Sequence, residues 1–428
     1  MRPLSADTGN HESITANYES LIRKIRGSAT GPDKVVRYFC LLCGQEQSES
    51  PSTRCTACNG ALDAFYDLDQ AAVPATRQGP DPLQHYFSLL PLRDRASGRW
   101  GGEGNTPCFE VPELAAAIGV GRLFVKDESA NPTRSTKDRV ASLCLSRFAE
   151  LGIHELVLSS TGNTSTAYAR AAALFPGFRL HIFVGRAFVS RLNYPDHPNV
   201  TTHVVEGEFV MAGKVAQRFA REQGHFWEGG FFNLARREGL KLAYLEAFDQ
   251  MPVEPDFVFQ AVSSGMGLLG ALKGAVEYRE LGRLGKLPAF MAVQQASCAP
   301  MAHAFGEDAE RIEPRHVIRN PQGLAYAILR GDPTATYPYI RDLCRGSGGR
   351  ILAAEEDRIR RARRLLLDMA GVRGCFASAT ALAGVMRAAE DGTLTPDSVA
   401  LVNLTGGDRP VAQVPASTTT WTEEGALI

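Results

Sequence analysis

Short apolar runs rich in β-branched residues recur along the chain, and most are followed by a stretch with helical spacing. Arg122 to Lys126 precedes a helical pattern that begins at Thr136, and Glu155 to Leu158 precedes one that begins at Thr164. The alternation continues with Leu180 to Val184, Val200 to Val205, Asp256 to Val262, Phe290 to Val293 and Ala400 to Leu404. A strand-then-helix order of this kind predicts α/β architecture, with parallel sheets covered by helices and ligands gathered at the carboxyl ends of strands. Ahead of it, residues 35–68 place cysteine pairs between β-type runs, Val35 to Phe39 and Ala64 to Tyr66, which predicts a mini-domain. Residues 1–30 are polar apart from an amphipathic piece, Tyr18 to Ile25, and read as a loose or docked tail.

The chain has 428 residues, enough for two to three units. Lys plus Arg (46) nearly balance Asp plus Glu (47), so no global field draws it to nucleic acid or to an anionic membrane. The first thirty residues lack the apolar core of a leader, and no later run is long enough for a spanning helix, which points to the cytoplasm.

Nine cysteines include Cys40-Leu-Leu-Cys43 and Cys55-Thr-Ala-Cys58, separated by eleven residues and followed by Gly44 and by Asn59-Gly60. Two knuckles of this form can close a tetrahedral, structural zinc site with four thiolates. The alternative is four unliganded thiols; a nucleic-acid adaptor is disfavoured because Lys34, Arg37 and Arg54 are offset by Glu46, Glu49, Asp63 and Asp67. Cys108, Cys144, Cys344 and Cys375 have no ligand spacing, His181, His197, His203, His225 and His303 form no pattern, and Arg358 to Arg364 reads as a solvated helix face.

Four loops carry candidate chemistry. After the Arg122 strand comes Asn131-Pro-Thr-Arg134-Ser-Thr-Lys137-Asp-Arg139, which sets a lysine at a strand's carboxyl end, where a lowered pKa would make its amine a nucleophile. Ser159-Ser160-Thr161-Gly162-Asn163-Thr164 offers hydroxyls and backbone amides at a helix start, suited to a carboxylate or to ordinary capping. Ser263-Ser264-Gly265-Met266-Gly267 has the glycines that let backbone amides approach a phosphate. Leu404 leads into Thr405-Gly406-Gly407-Asp408, which puts a hydroxyl at the end of a fourth strand.

Taken together over residues 100–410, these motifs resemble fold-type II pyridoxal-phosphate enzymes, specifically the threonine synthase and cysteate synthase group, in which a zinc ribbon also occurs. The resemblance implies two parallel-sheet α/β domains plus the ribbon: tail 1–30, ribbon 31–68, a catalytic region 83–415 and a tail 416–428. The smaller subdomain would span about 138–255 and the larger 83–137 with 256–415. It further implies that Lys137 holds the cofactor as a Schiff base and moves the α proton, with Asn163, Ser264, Gly265, Met266, Gly267 and Thr405 around the cofactor. Ser160, Thr161, Thr164, Asn233, Arg236 and Arg134 would bind an amino-acid substrate, and Cys40, Cys43, Cys55 and Cys58 would bind zinc. A homodimer is the expected assembly.

Glu228-Gly-Gly230 before Asn233-Leu-Ala-Arg-Arg237, and Gln295 before Cys298-Ala-Pro-Met301, look closer to cysteate synthase. Expected chemistry is therefore replacement on O-phosphoserine with a nucleophile such as sulfite, with threonine synthase as the alternative and a ligand-binding pseudoenzyme as the non-enzymatic one. Arg134 and Thr136 stand where the family usually has glycine and phenylalanine. Met266 replaces a small residue, which requires a negative φ, and Gly374-Cys375 replaces a Glu-Pro pair.

Overall fold

The structure, a computed structural model, describes residues 13–31, 33–77, 79–207, 209–409 and 413–428. Residues 1–12 of the expected tail lie outside that set. In chain order the strands are β1 (Val36–Cys40), β2 (Glu46–Gln47), β3 (Leu62–Tyr66), β4 (Cys108–Glu110), β5 (Arg122–Asp127), β6 (Glu155–Ser159), β7 (Arg179–Gly185), β8 (Val200–Val205), β9 (Phe226–Trp227), β10 (Phe257–Ala261), β11 (Ala289–Gln295), β12 (Ile351–Ala354), β13 (Val399–Leu404) and β14 (Thr418–Trp421).

They form three sheets, ordered β2-β1-β3, β12-β11-β10-β13-β5-β4 and β14-β8-β7-β6-β9. The first is the antiparallel cysteine-bearing ribbon. The other two are parallel except for β4, whose three residues pair antiparallel with β5 at an edge. Central strands such as β10 and β13 are apolar on both faces because helices cover both sides.

The helix Leu234–Gln250 is the pivot of the packing. Gly239 meets the Lys137–Glu150 helix, where an added Cβ would stand 2.6 Å from the Arg139 carbonyl oxygen. Gly270, on the helix Met266–Glu280, approaches the Arg237 carbonyl oxygen equally closely, at 2.5 Å. Small residues at both crossings bring three helix axes close together.

The ribbon docks on the same helices through charge as well as apolar packing. Asp63 on β3 pairs with Lys273, which also meets Glu238, and Lys241 joins Glu238 (2.6 Å) to Glu277 (2.8 Å). Burial would raise the Asp63 pKa, but Lys273 and Arg237 hold it at about 2. Ahead of the ribbon, Ser13 caps the helix Ile14–Ile25, and Tyr18 donates to Asp63 at 2.6 Å, so this part of the expected tail is docked.

At the other end, residues 416–428 are not simply a tail. They contribute β14, paired in parallel with β8 from Thr418 against Thr202 to Trp421 against Val205. Three of the histidines that lacked a sequence pattern, His181, His203 and His225, meet here. The Trp421 indole donates to His203 Nδ1 (3.0 Å), His203 Nε2 meets His181 Nδ1 (3.1 Å), and His181 Nε2 faces Glu155 (3.4 Å). Since an indole only donates, His203 must carry its proton on Nε2, and His181 then presents Nε2–H to the carboxylate.

Burial, and next the neighbouring His181, push the His203 pKa down to about 3. An unfolded histidine takes up its proton near pH ~6.5. The stability due to neutral His203 is therefore complete above that pH and is lost as pH falls toward 3, at up to about 1.4 kcal/mol per pH unit. His203→Gln, which can still accept from Trp421 and donate to His181, is predicted to show a smaller loss of urea stability between pH 7 and pH 5 than the parent, by about 1–2 kcal/mol. Identical pH slopes for the two proteins would contradict this reading.

Candidate active site and zinc site

β10, β13 and β5 are neighbours, so the loops leaving their carboxyl ends emerge side by side. The Lys137 loop is joined to the β13 loop by backbone: Thr136 N donates to Thr405 O (3.0 Å), Gly407 N donates to Arg134 O (2.9 Å), and Ser135 bridges Gly406. Lys137 opens its helix at this junction. Burial, and next the charge of Arg236, push its pKa down to about 8 against an upward pull from Glu128. A lysine so placed is an accessible neutral amine at mildly alkaline pH, as a nucleophilic or proton-transferring amine requires.

After β10, Ser264 is buried and Gly265 takes φ +81 as the residue before the helix Met266–Glu280. A Cβ on Gly265 would fall 2.3 Å from Ile340 Cδ1, and one on Gly267 would fall 2.6 Å from Gln260 Nε2. The positive φ and the Ile340 contact demand glycine at 265, while at 267 a side chain would displace the Gln260 amide. Met266 is tolerated because it occupies the first helical position, leaving the positive φ to Gly265.

The β6 loop supplies the facing wall. The Ser160 hydroxyl accepts from Gly162 N and Ser165 N, both at 3.1 Å, and so caps the helix Asn163–Ala172. Thr161 and Thr164 share that turn. Asn163 Oδ1 accepts from Arg409 Nη2 at 2.9 Å, which fixes the amide so that Nδ2 is left as a donor.

The structure places Asn233 and Arg236 against a protein carboxylate. Arg236 Nε and Nη2 both donate to Glu228, each at 2.5 Å, and Asn233 Nδ2 and the Tyr168 hydroxyl donate to the same carboxylate, each at 2.8 Å. The cluster is buried and balanced, so the cation is already neutralised. Arg134 stands at φ +61, which explains why glycine is usual there, and its Nε donates to the Asp408 carbonyl oxygen at 2.7 Å.

A cleft of about 260 Å³ opens beside the β6 and β13 loops, with Asn163, Arg191, Tyr326, Cys375, Phe376 and Arg409 among its lining. Arg191 and Arg409 were not anticipated. Arg409 follows the Thr405-Gly-Gly-Asp408 motif directly and could have been read as part of it, whereas Arg191 carries no local signature.

In the ribbon, Gly44 (φ +66) and Asn59 (φ +61) turn equivalent knuckles, with Gly44 N donating to Cys40 O and Asn59 N to Cys55 O, both at 3.0 Å. Sulfur separations are 3.3 Å for Cys40–Cys58, 3.5 Å for Cys43–Cys58 and 3.8 Å for Cys43–Cys55. Four thiolates ~2.3 Å from a tetrahedral zinc stand about 3.8 Å apart. The four sulfurs therefore form a cluster that could hold zinc.

Comparison with known proteins agrees with this geometry. Residues 99–406 match the family described as pyridoxal-phosphate dependent enzyme. The chain belongs to that family. It is 28% identical to threonine synthase of Methanocaldococcus jannaschii over 86% of this chain and 91% of the relative, and 27% identical to cysteate synthase of Methanosarcina barkeri over the same shares. Threonine synthase of a Bacillus species is 30% identical over 76% of this chain and 88% of its own. Among solved structures, diaminopropionate ammonia lyase of Escherichia coli superposes with TM-score 0.59 at 16% identity, covering 73% of this chain and 87% of that one.

This pyridoxal-phosphate enzyme thus has the two-sheet fold of its relatives with a ribbon in front. The residues present suit the cofactor: a glycine cradle at a helix start for a phosphate, a lysine with a lowered pKa, and a free amide donor on Asn163. Among the described residues no helix is long and apolar enough to cross a membrane.

The ribbon's distance in sequence from these loops leads to a prediction. Cys55→Ser is expected to lower bound zinc from about one per chain to near zero, and to lower the melting temperature, while the cofactor's visible absorbance persists. Undiminished zinc by metal analysis would exclude Cys55 as a ligand.

Proposed function

We propose that this enzyme replaces the β substituent of an O-phosphorylated amino acid, in the manner of cysteate synthase, with O-phosphoserine and a nucleophile such as sulfite as substrates. The observation that carries the reading is Lys137: its pKa is pushed to about 8 where the loops after β5, β10 and β13 converge. The cofactor, when bound, supplies electron withdrawal from the substrate's α carbon. Lys137 anchors it, takes the α proton as a neutral amine and later returns it to the α carbon. Between those transfers the Cβ–O bond breaks, phosphate leaves, and the nucleophile forms its bond to Cβ.

Backbone amides from Thr161 to Thr164 receive the substrate carboxylate at the start of the Asn163 helix. Asn163 Nδ2, the amides around Gly265 and Gly267 and the Thr405 hydroxyl would hold the cofactor, through its phenolic oxygen, its phosphate and its ring nitrogen respectively. A neutral hydroxyl there favours elimination and replacement over transamination. Threonine synthase chemistry on O-phosphohomoserine is the second reading, supported by the 28% identity to the Methanocaldococcus jannaschii enzyme over nearly the same length.

Incubation with O-phosphoserine plus sulfite is expected to release inorganic phosphate, with little release when sulfite is omitted. Lys137→Ala should lower the rate by about 10²–10⁴-fold, as expected for loss of a general acid–base group. Release from O-phosphohomoserine alone would favour the second reading. Release from neither substrate would remove phospho-amino acids from the proposal.

A further inference from the structure

A cation partly withdrawn from water with no counter-ion is incompletely compensated, so a half-buried guanidinium of this kind lining a cleft points to an anionic occupant. The arginines near Lys137 can be sorted on that basis. Arg139 is neutralised by Glu128 and Glu246, and Arg236 by Glu228. Arg237 is held by the Phe231 and Leu62 carbonyl oxygens and lies 3.6 Å from Asp63.

Arg191 and Arg409 differ from these. Neither has an acidic partner within ion-pair distance among the described residues, and both line the cleft beside Asn163. Among the described residues Arg409 donates to neutral groups, Thr133 O at 3.0 Å and Asn163 Oδ1 at 2.9 Å. Among the described residues Arg191 Nη1 is buried with no hydrogen-bond acceptor, and its guanidinium lies 5.8 Å from the centre of the Tyr326 ring. Packing fixes Arg191 against the substrate loop, since a Cβ on Gly162 would come within 2.9 Å of the Arg191 carbonyl oxygen.

We infer that Arg191 and Arg409 form the subsite for the anionic side-chain group of the amino-acid substrate, a role that resemblance alone would give to Asn233 and Arg236. The inference rests on the proposed action on an anionic amino acid and identifies where that anion sits. Arg409 serves two functions there, orienting the Asn163 amide and offering its remaining N–H to the anion. Arg191 supplies a fork whose Nη1 lacks a protein acceptor. The chemical class selected is an amino acid ending in phosphate or another tetrahedral oxyanion, and free inorganic phosphate is its minimal probe.

The test uses holoenzyme, in which the bound cofactor keeps probe phosphate out of the glycine cradle. Calorimetric titration with inorganic phosphate should show binding that weakens at least tenfold in Arg191→Gln and less in Arg191→Lys, with visible cofactor absorbance equal to the parent in both. With whichever phospho-amino acid is turned over, Arg191→Gln should raise KM at least tenfold and change kcat less. If Arg191→Gln does not fold, the lysine variant carries the test alone through a measurable loss of phosphate affinity. Phosphate affinity unchanged in these variants, or no phosphate binding by the parent holoenzyme, would overturn the assignment. Because the titration needs no turnover, it stays decisive even when the phospho-amino-acid substrates fail.

Discussion

A guanidinium shut away from water must place its N–H groups on acceptors, and Arg139, two residues beyond Lys137, does so entirely inside the protein. It donates to Glu128 at 2.7 and 2.8 Å, to Glu246 at 2.9 and 2.7 Å, and to Thr106 at 3.1 Å. Lys126 on β5 adds a second cation against Glu246 at 3.0 Å. Burial opposes ionisation of both carboxyls, yet the paired cations hold Glu128 below and Glu246 well below the usual range. Removing Arg139 would leave Glu128 buried without its ion-pair partner, at a cost of about 3–5 kcal/mol. The network ties three elements together: the loop after β5, the start of the Lys137 helix and the last turns of the Leu234 helix.

From that anchor the site follows by packing. The Leu234 helix, gripped at Gly239 by the lysine helix and at Gly270 by the Met266 helix, sets the lysine and the glycine cradle on one support. The same helix carries Arg237 and Glu238 into the charged contact with the ribbon, so the ribbon and the catalytic region share one core. Lys137 thus sits on a rigid frame, with a pKa set by burial and by Arg236.

Much of this was legible in the sequence. Strand–loop–helix order placed Gly265 and Gly267 at a helix start after β10, and the paired cysteines predicted a four-thiolate cluster, because backbone geometry at such turns demands particular residues. Arg134 showed as a departure, and its φ of +61 gives the reason glycine is usual there. What stayed hidden depends on distant partners. The Arg236 motif looked like an anion site until Glu228, eight residues earlier, was seen to occupy its fork. Arg191 and the His181–His203–Trp421 chain join residues with no shared periodicity, and β14 returns to the smaller sheet from the far end of the chain.

The central claim is that the frame built around Arg139 presents Lys137, among all the lysines of the chain, to pyridoxal phosphate. The direct measurement is borohydride reduction of the holoenzyme followed by proteolysis and mass mapping of the modified peptide. A reduced phosphopyridoxyl group is expected on Lys137. The same label on another lysine, with Lys137 unmodified, would contradict it.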